Sequence, residues 1–141
     1  MLWKRIVVGE KERILISRNG RFAGILTPGE YRAFVAPSVS LDAERHNVDD
    51  LVFRSTWADY LVREKSALVQ RHFERIETDR SQIAMVYTNG ELFTVLIPSK
   101  RLLLWRGVVE VTAEKVEIID WRPKTAASAR TESGARFRLT G

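Results

Sequence analysis

His46 and His72 are the only side chains in this sequence whose ordinary pKa lies near neutrality, so acid–base or metal chemistry would have to start from them. His46 opens the run His46-Asn47-Val48-Asp49-Asp50, which sets an imidazole close to two carboxylates. A metal site or a charge-relay pair needs a further ligand or a nucleophile, and no obvious third group accompanies them. The simpler expectation is a strand leaving into a loop, with solvated polar groups. His72 stands at helical spacing from Tyr60, Leu61, Leu68 and Val69, which makes it a partly buried helix residue. The chain has no cysteine, which excludes disulfides, thiolate metal sites and thiol nucleophiles together. No serine stands in a Gly-x-Ser-x-Gly elbow, and there is no phosphate loop or dinucleotide fingerprint. The remaining carboxylates, Glu44 and Glu114 among them, are interspersed with Lys and Arg as on solvated faces. The expectation is a protein that is not an enzyme, with no cofactor and no metal.

One cluster has the residue types of a binding surface. Arg18, Arg21 and Arg32, with Phe22 and Tyr31, combine guanidinium groups with aromatic rings, a combination that can stack bases and hold phosphates. Thr88, Glu91 and Leu102 stand 70 residues after the three arginines, so any such surface belongs to one half of the chain. The net charge of +5 is also local: from Trp121 onward five basic residues accompany one acid, which leaves +1 for residues 1–120. A basic footprint over a whole domain, the usual mark of nucleic-acid binding, is therefore missing from the body.

The elements that carry these residues repeat. Residue i placed beside residue i+70 sets Asn19-Gly20 on Asn89-Gly90, Leu26 on Leu96, Pro28 on Pro98 and Ala43-Glu44 on Ala113-Glu114. Apolar positions coincide as well, among them Leu15 with Met85, Ile25 with Val95 and Phe34 with Leu104. Asn-Gly between two apolar runs predicts a type I′ hairpin turn, because both central residues must take positive φ. Pro28-Gly29 predicts a second turn. The alternations Val39-Leu41-Ala43 and Val109-Val111-Ala113 predict strands with one wet face.

Between the halves the period becomes helical, through Trp57, Tyr60, Leu61, Leu68, Val69, His72 and Phe73. Thr56 is the expected cap of one helix and Ser66 of a second. The fold class expected is therefore α+β and β-rich, with two related antiparallel hairpin-containing β units joined by one or two helices. The units would span 1–50 and 81–120, around a helical bridge at 51–80. Residues 121–141 are small, polar and basic without periodicity, the pattern of a flexible tail. Trp3, Trp57, Trp105 and Trp121 are expected in core and interface packing.

The stretch from Glu12 to Phe34, with Arg18-Asn19-Gly20-Arg21-Phe22 and Pro28-Gly29, resembles the opening of the stomatin/prohibitin/flotillin (SPFH, band-seven) domain, closest to its bacterial slipin branch. Val39-Ser-Leu-Asp-Ala-Glu-Arg45 resembles the next family strand, and the second half resembles the same opening more faintly through Asn89-Gly90 and Pro98. The resemblance implies a non-catalytic module of an oligomeric scaffold that holds protein partners, its own copies among them. The chain shows no hydrophobic membrane hairpin and no long coiled-coil helix. The resemblance therefore implies a cytoplasmic body, peripheral at the inner membrane only through a longer chain or a partner. Its rival is a small β-rich nucleic-acid-binding domain that uses the first hairpin and the basic tail.

Overall fold

The first decision of the chain is made at its two Asn-Gly pairs. In the structure, a computed structural model that describes residues 2–118, Asn19 and Gly20 have φ of 51° and 79°, and Asn89 and Gly90 have 50° and 83°. Both turns thus take the doubly positive φ that joins strands with matched right-handed twist. Each asparagine also ties its hairpin to a third strand. Asn19 Oδ1 accepts from the Ser40 N–H at 2.8 Å while the Asn19 N–H donates to the Ser40 carbonyl. Asn89 and Glu110 repeat the exchange.

Among the described residues the order is β1 (Leu2–Val8), β2 (Glu12–Arg18), β3 (Arg21–Leu26), β4 (Gly29–Val35), β5 (Leu41–Asn47), α1 (Ala58–Glu64), α2 (Ser66–His72), β6 (Phe73–Glu77), β7 (Gln82–Thr88), β8 (Glu91–Leu96), β9 (Arg101–Trp105) and β10 (Val111–Glu117). The class is α+β and β-rich, as expected. All strand pairs are antiparallel: sheets β3-β2-β5 and β8-β7-β10, and two-stranded ribbons β1-β4 and β6-β9.

The two sheets share one register. Leu15 lies between Ile25 and Glu44, and Met85 between Val95 and Glu114. Both carry a bulge at the same place, Ile16/Ser17 and Val86/Tyr87. The Gly9 N–H donates to Glu12 Oε1, and the Asp79 N–H to Gln82 Oε1. The ribbons correspond with a slip of one residue. Trp3 pairs with Phe34, whereas Phe73 pairs with Trp105. The slip arises at the second turn: Gly29 enters β4 at once, while Ser99, at φ 60°, and Lys100 lengthen the turn before β9.

Several expectations need correction. The bridge expected over 51–80 is helical only from Ala58 to His72, and Phe73–Glu77 is a strand paired with β9. Phe73 lies four residues after Val69, so it satisfies helical spacing, but the apolar run Leu102-Leu-Leu-Trp105 gives it a strand partner instead. Neither expected cap forms. Trp57 occupies the N-cap of α1, and Ser55 Oγ, not Thr56, accepts the Trp57 N–H at 3.0 Å. Lys65 occupies the N-cap of α2, which makes Ser66 its first helical residue. The last strand of each unit begins at Leu41 or Val111, two residues later than the alternation predicts, because the Asn19 and Asn89 ties hold the preceding residues in the turn. The tail expected at 121–141, with Trp121, lies outside the described residues.

The core joins the units. Leu15 and Val48 from the first, Phe53, Leu61 and Val69 from the bridge, and Phe73, Leu103 and Trp105 from the second form one buried cluster. Residues 51–53 run antiparallel along the outer edge of β9 through an isolated bridge. Val52 bridges Leu104, the Phe53 N–H donates to the Leu103 carbonyl at 2.8 Å, and the Trp105 N–H to the Leu51 carbonyl at 3.0 Å. A smaller cluster, Ile76, Ala84, Val86 and Leu104, lies within the second unit.

Candidate interaction surface

The five residues of the expected surface do not share one face. Arg18 and Arg21 stand opposite each other at the end of the β2–β3 hairpin, both exposed. Phe22 is turned to packing: its ring lies 5.7 Å from Trp57 and 6.3 Å from Tyr60, against the flank of the main core. Tyr31 and Arg32 sit on β4, whose ladder partner is β1, and as strand neighbours they point to opposite faces. The Tyr31 hydroxyl donates to the Thr27 carbonyl at 2.7 Å, and Arg32 approaches Glu30 at 3.8 Å. The turn residues Pro28 and Pro98 each precede the strand that closes a ribbon.

Neither histidine gathers a reaction centre. His46 is the penultimate residue of β5, which leaves into the turn at 48–50 as expected, and its carboxylate partner is Glu44 at 2.7 Å, two residues earlier on the same face. Its ring is 5.0 Å from Phe53 and 5.7 Å from Trp105, so it serves as part of the aromatic wall of the core. Asp49 instead meets Lys11 at 3.0 Å. His72 ends α2, half-buried; burial first, then the charges of Arg71 and Arg13, hold its pKa below the ordinary value. Among the described residues no cluster of His, Asp or Glu has the arrangement of a metal site. Open clefts among the described residues include one at Thr78, Asp79 and Lys100 and one between Phe22, Gly24 and the Lys65–Leu68 corner.

The surface instead displays large apolar side chains in two places. Trp3, Val7 and Phe34 are exposed on the β1–β4 ribbon, where the Trp3 and Phe34 rings pack tilted, their centroids 4.6 Å apart. Leu92, Phe93, Val95 and Ile97 on or just after β8, with Val116 on β10, are exposed on the second sheet. Trp3 is therefore not part of the core that the described residues form. Sequence reasoning missed both patches, because period-two alternation marks which residues share a face but not whether that face is covered. Arg5 and Arg32, directly opposite each other, share the Trp3–Phe34 face, where Glu30 pairs with both. Glu114 shares the Met85–Val95 face. No helix among the described residues is long and apolar enough to cross a membrane.

Compared with protein-family models, curated proteins and solved structures, the chain matches none of them.

Proposed function

We propose that this chain is a non-catalytic protein–protein assembly module, of the kind that the slipin-like resemblance of residues 12–34 implies. One observation carries the reading: its exposed large apolar side chains gather on strands whose edges are unpaired among the described residues, on a β1–β4 ribbon and on a sheet bordered by β8 and β10. Free strand edges flanked by apolar side chains pair readily with another polypeptide. The near-neutral charge of residues 1–120 supports the same reading, since non-specific nucleic-acid affinity comes chiefly from a positive field. Attachment to the inner face of a membrane belongs to the proposal only through a partner or a longer chain.

The test is to immobilise the full chain and cross-link it in a lysate of the source cell, with a labelled single-stranded oligonucleotide offered in parallel at physiological salt. Recovery of protein cross-links, to its own copies or to others, is expected. Retention of the oligonucleotide alone, abolished by Arg18→Ser with Arg21→Ser, would overturn the proposal in favour of a nucleic-acid-binding domain.

A further inference from the structure

The two exposed patches are counterparts of the two sides of the buried contact inside the molecule. In the first unit, the face of sheet β3-β2-β5 that carries Leu15, Phe22, Ile25 and His46 is covered by the bridge and by Phe73 and Trp105. Its counterpart at an offset of 70 carries Met85, Leu92, Val95 and Val116, and there Leu92 is 57% exposed and Val95 43%. On the other side of the contact, the cross-strand pair Phe73–Trp105 is 0% and 2% exposed. Its counterpart in the matched ribbon register, Trp3–Phe34, is 67% and 53% exposed, yet its rings meet in the same tilted contact at 4.6 Å.

The same holds for the backbone. The Leu103 carbonyl and the Trp105 N–H, on the outer edge of β9, are bonded by residues 51–53. By register their counterparts on β4 are the Arg32 carbonyl and the Phe34 N–H, and among the described residues no strand pairs that edge. The chain also leaves β10 as it leaves β5: the Val48 N–H donates to the Lys11 carbonyl, and the Ile118 N–H to the Ser81 carbonyl.

We infer that a second copy of this chain covers these faces, the second sheet of one molecule docking on the β1–β4 ribbon of the next, head to tail. The inference rests on the assembly reading above and names its partner. In repeat proteins each unit leaves an apolar face that only its neighbour buries, and the terminal faces stay open unless capped. All the exposed large hydrophobics lie at these two ends of the two-unit array, none on the surface between them, among the described residues. The charges do not oppose the contact: the ribbon face carries Arg5 and Arg32 around Glu30, a net positive charge, and the sheet face carries Glu114. A contact between two different faces is heterologous, so it propagates beyond a dimer unless the rotation closes a ring.

Sedimentation velocity of the full chain tests this from about 1 μM to about 1 mM, the range of transient contacts. The mass is expected to rise with concentration from 16.2 kDa to species larger than a dimer. A ribbon variant, Trp3→Ser with Phe34→Ser, and a sheet variant, Leu92→Ser with Val95→Ser, should each remain monomeric with unchanged circular dichroism. Mixed, they should form a dimer and nothing larger, because each retains the face that the other lacks. A wild-type chain that stays monomeric throughout overturns the inference, as does self-association of either variant alone or a mixture that stays monomeric. If that monomer still cross-links to another protein, the self-assembly inference fails while the assembly reading stands. If it cross-links to no protein, both fail.

Discussion

Gly20 and Gly90 separate conformational need from space. A Cβ at either would meet nothing within 4 Å, but their φ of 79° and 83° are disfavoured for any L side chain, most of all a β-branched one. Gly20→Val or Gly90→Val should therefore cost about 1–3 kcal/mol through backbone strain alone, read as a lower denaturation midpoint. Gly24 also has open space around its Cβ position and does not take positive φ, so Gly24→Ala should be neutral or stabilising by up to about 1 kcal/mol. His72 gives a second prediction. Burial and the Arg71 and Arg13 charges lower its folded pKa below the ordinary 6.5, so the unfolded chain takes up the proton first as the pH falls. Its contribution to stability is complete above pH 6.5 and is lost as the pH falls through the lowered folded value. His72→Gln should flatten the decline of urea midpoints on that acid side; an unchanged pH slope would contradict the assignment.

At the scale of elements, the two ribbons are built alike and loaded differently. Both cross-strand aromatic pairs meet tilted at 4.6 Å, but among the described residues only Phe73–Trp105 is roofed, by Phe53 at 4.5 Å and 5.3 Å. Removing a buried aromatic takes away its transfer energy and leaves a cavity, so Phe73→Ala or Trp105→Ala should cost about 3–5 kcal/mol. Trp3→Ala or Phe34→Ala, measured in the monomer, should cost no more than about 0.5–1.5 kcal/mol, the worth of an aromatic pair beyond its area. Comparable losses for both pairs in chemical denaturation would mean that the β1–β4 ribbon is covered in the monomer. The helices have a narrower task than their pattern suggests. They turn Leu61 and Val69 into the core, and α1 and α2, with no side-chain caps, depend on that burial for their stability.

For the molecule as a whole, the main core decides cooperativity. It takes residues from both units and the bridge, so neither unit buries its apolar face without the other. Thermal unfolding should be a single transition, with far-ultraviolet circular dichroism and the fluorescence of buried Trp105 changing together. Two separated transitions would show that the units fold independently. The same architecture explains the exposed ends: repetition supplies each unit with both sides of an interface, and a two-unit chain can satisfy one of each.

The hairpins were legible in the sequence because their causes are local. Asn-Gly fixes its own φ, and alternation on either side of it fixes which residues share a face, so β2, β3, β7 and β8 follow from residues within a few positions of each other, and the offset of 70 from the match between the two stretches. Phe73 shows where local pattern stops: its spacing from Val69 fits a helix, and only β9, about thirty residues later, makes it a strand. Trp3 shows the same limit for the candidate surface. An aromatic residue in an alternating strand looks the same whether or not another element covers it, as Trp3 and Phe73 do at matched positions. The sequence by itself determined the two turns, the repeated strands and the class. Which copy of each face is buried was decided by the tertiary structure alone, because the bridge packs between the first sheet and the second ribbon, and among the described residues no other element covers the first ribbon or the second sheet.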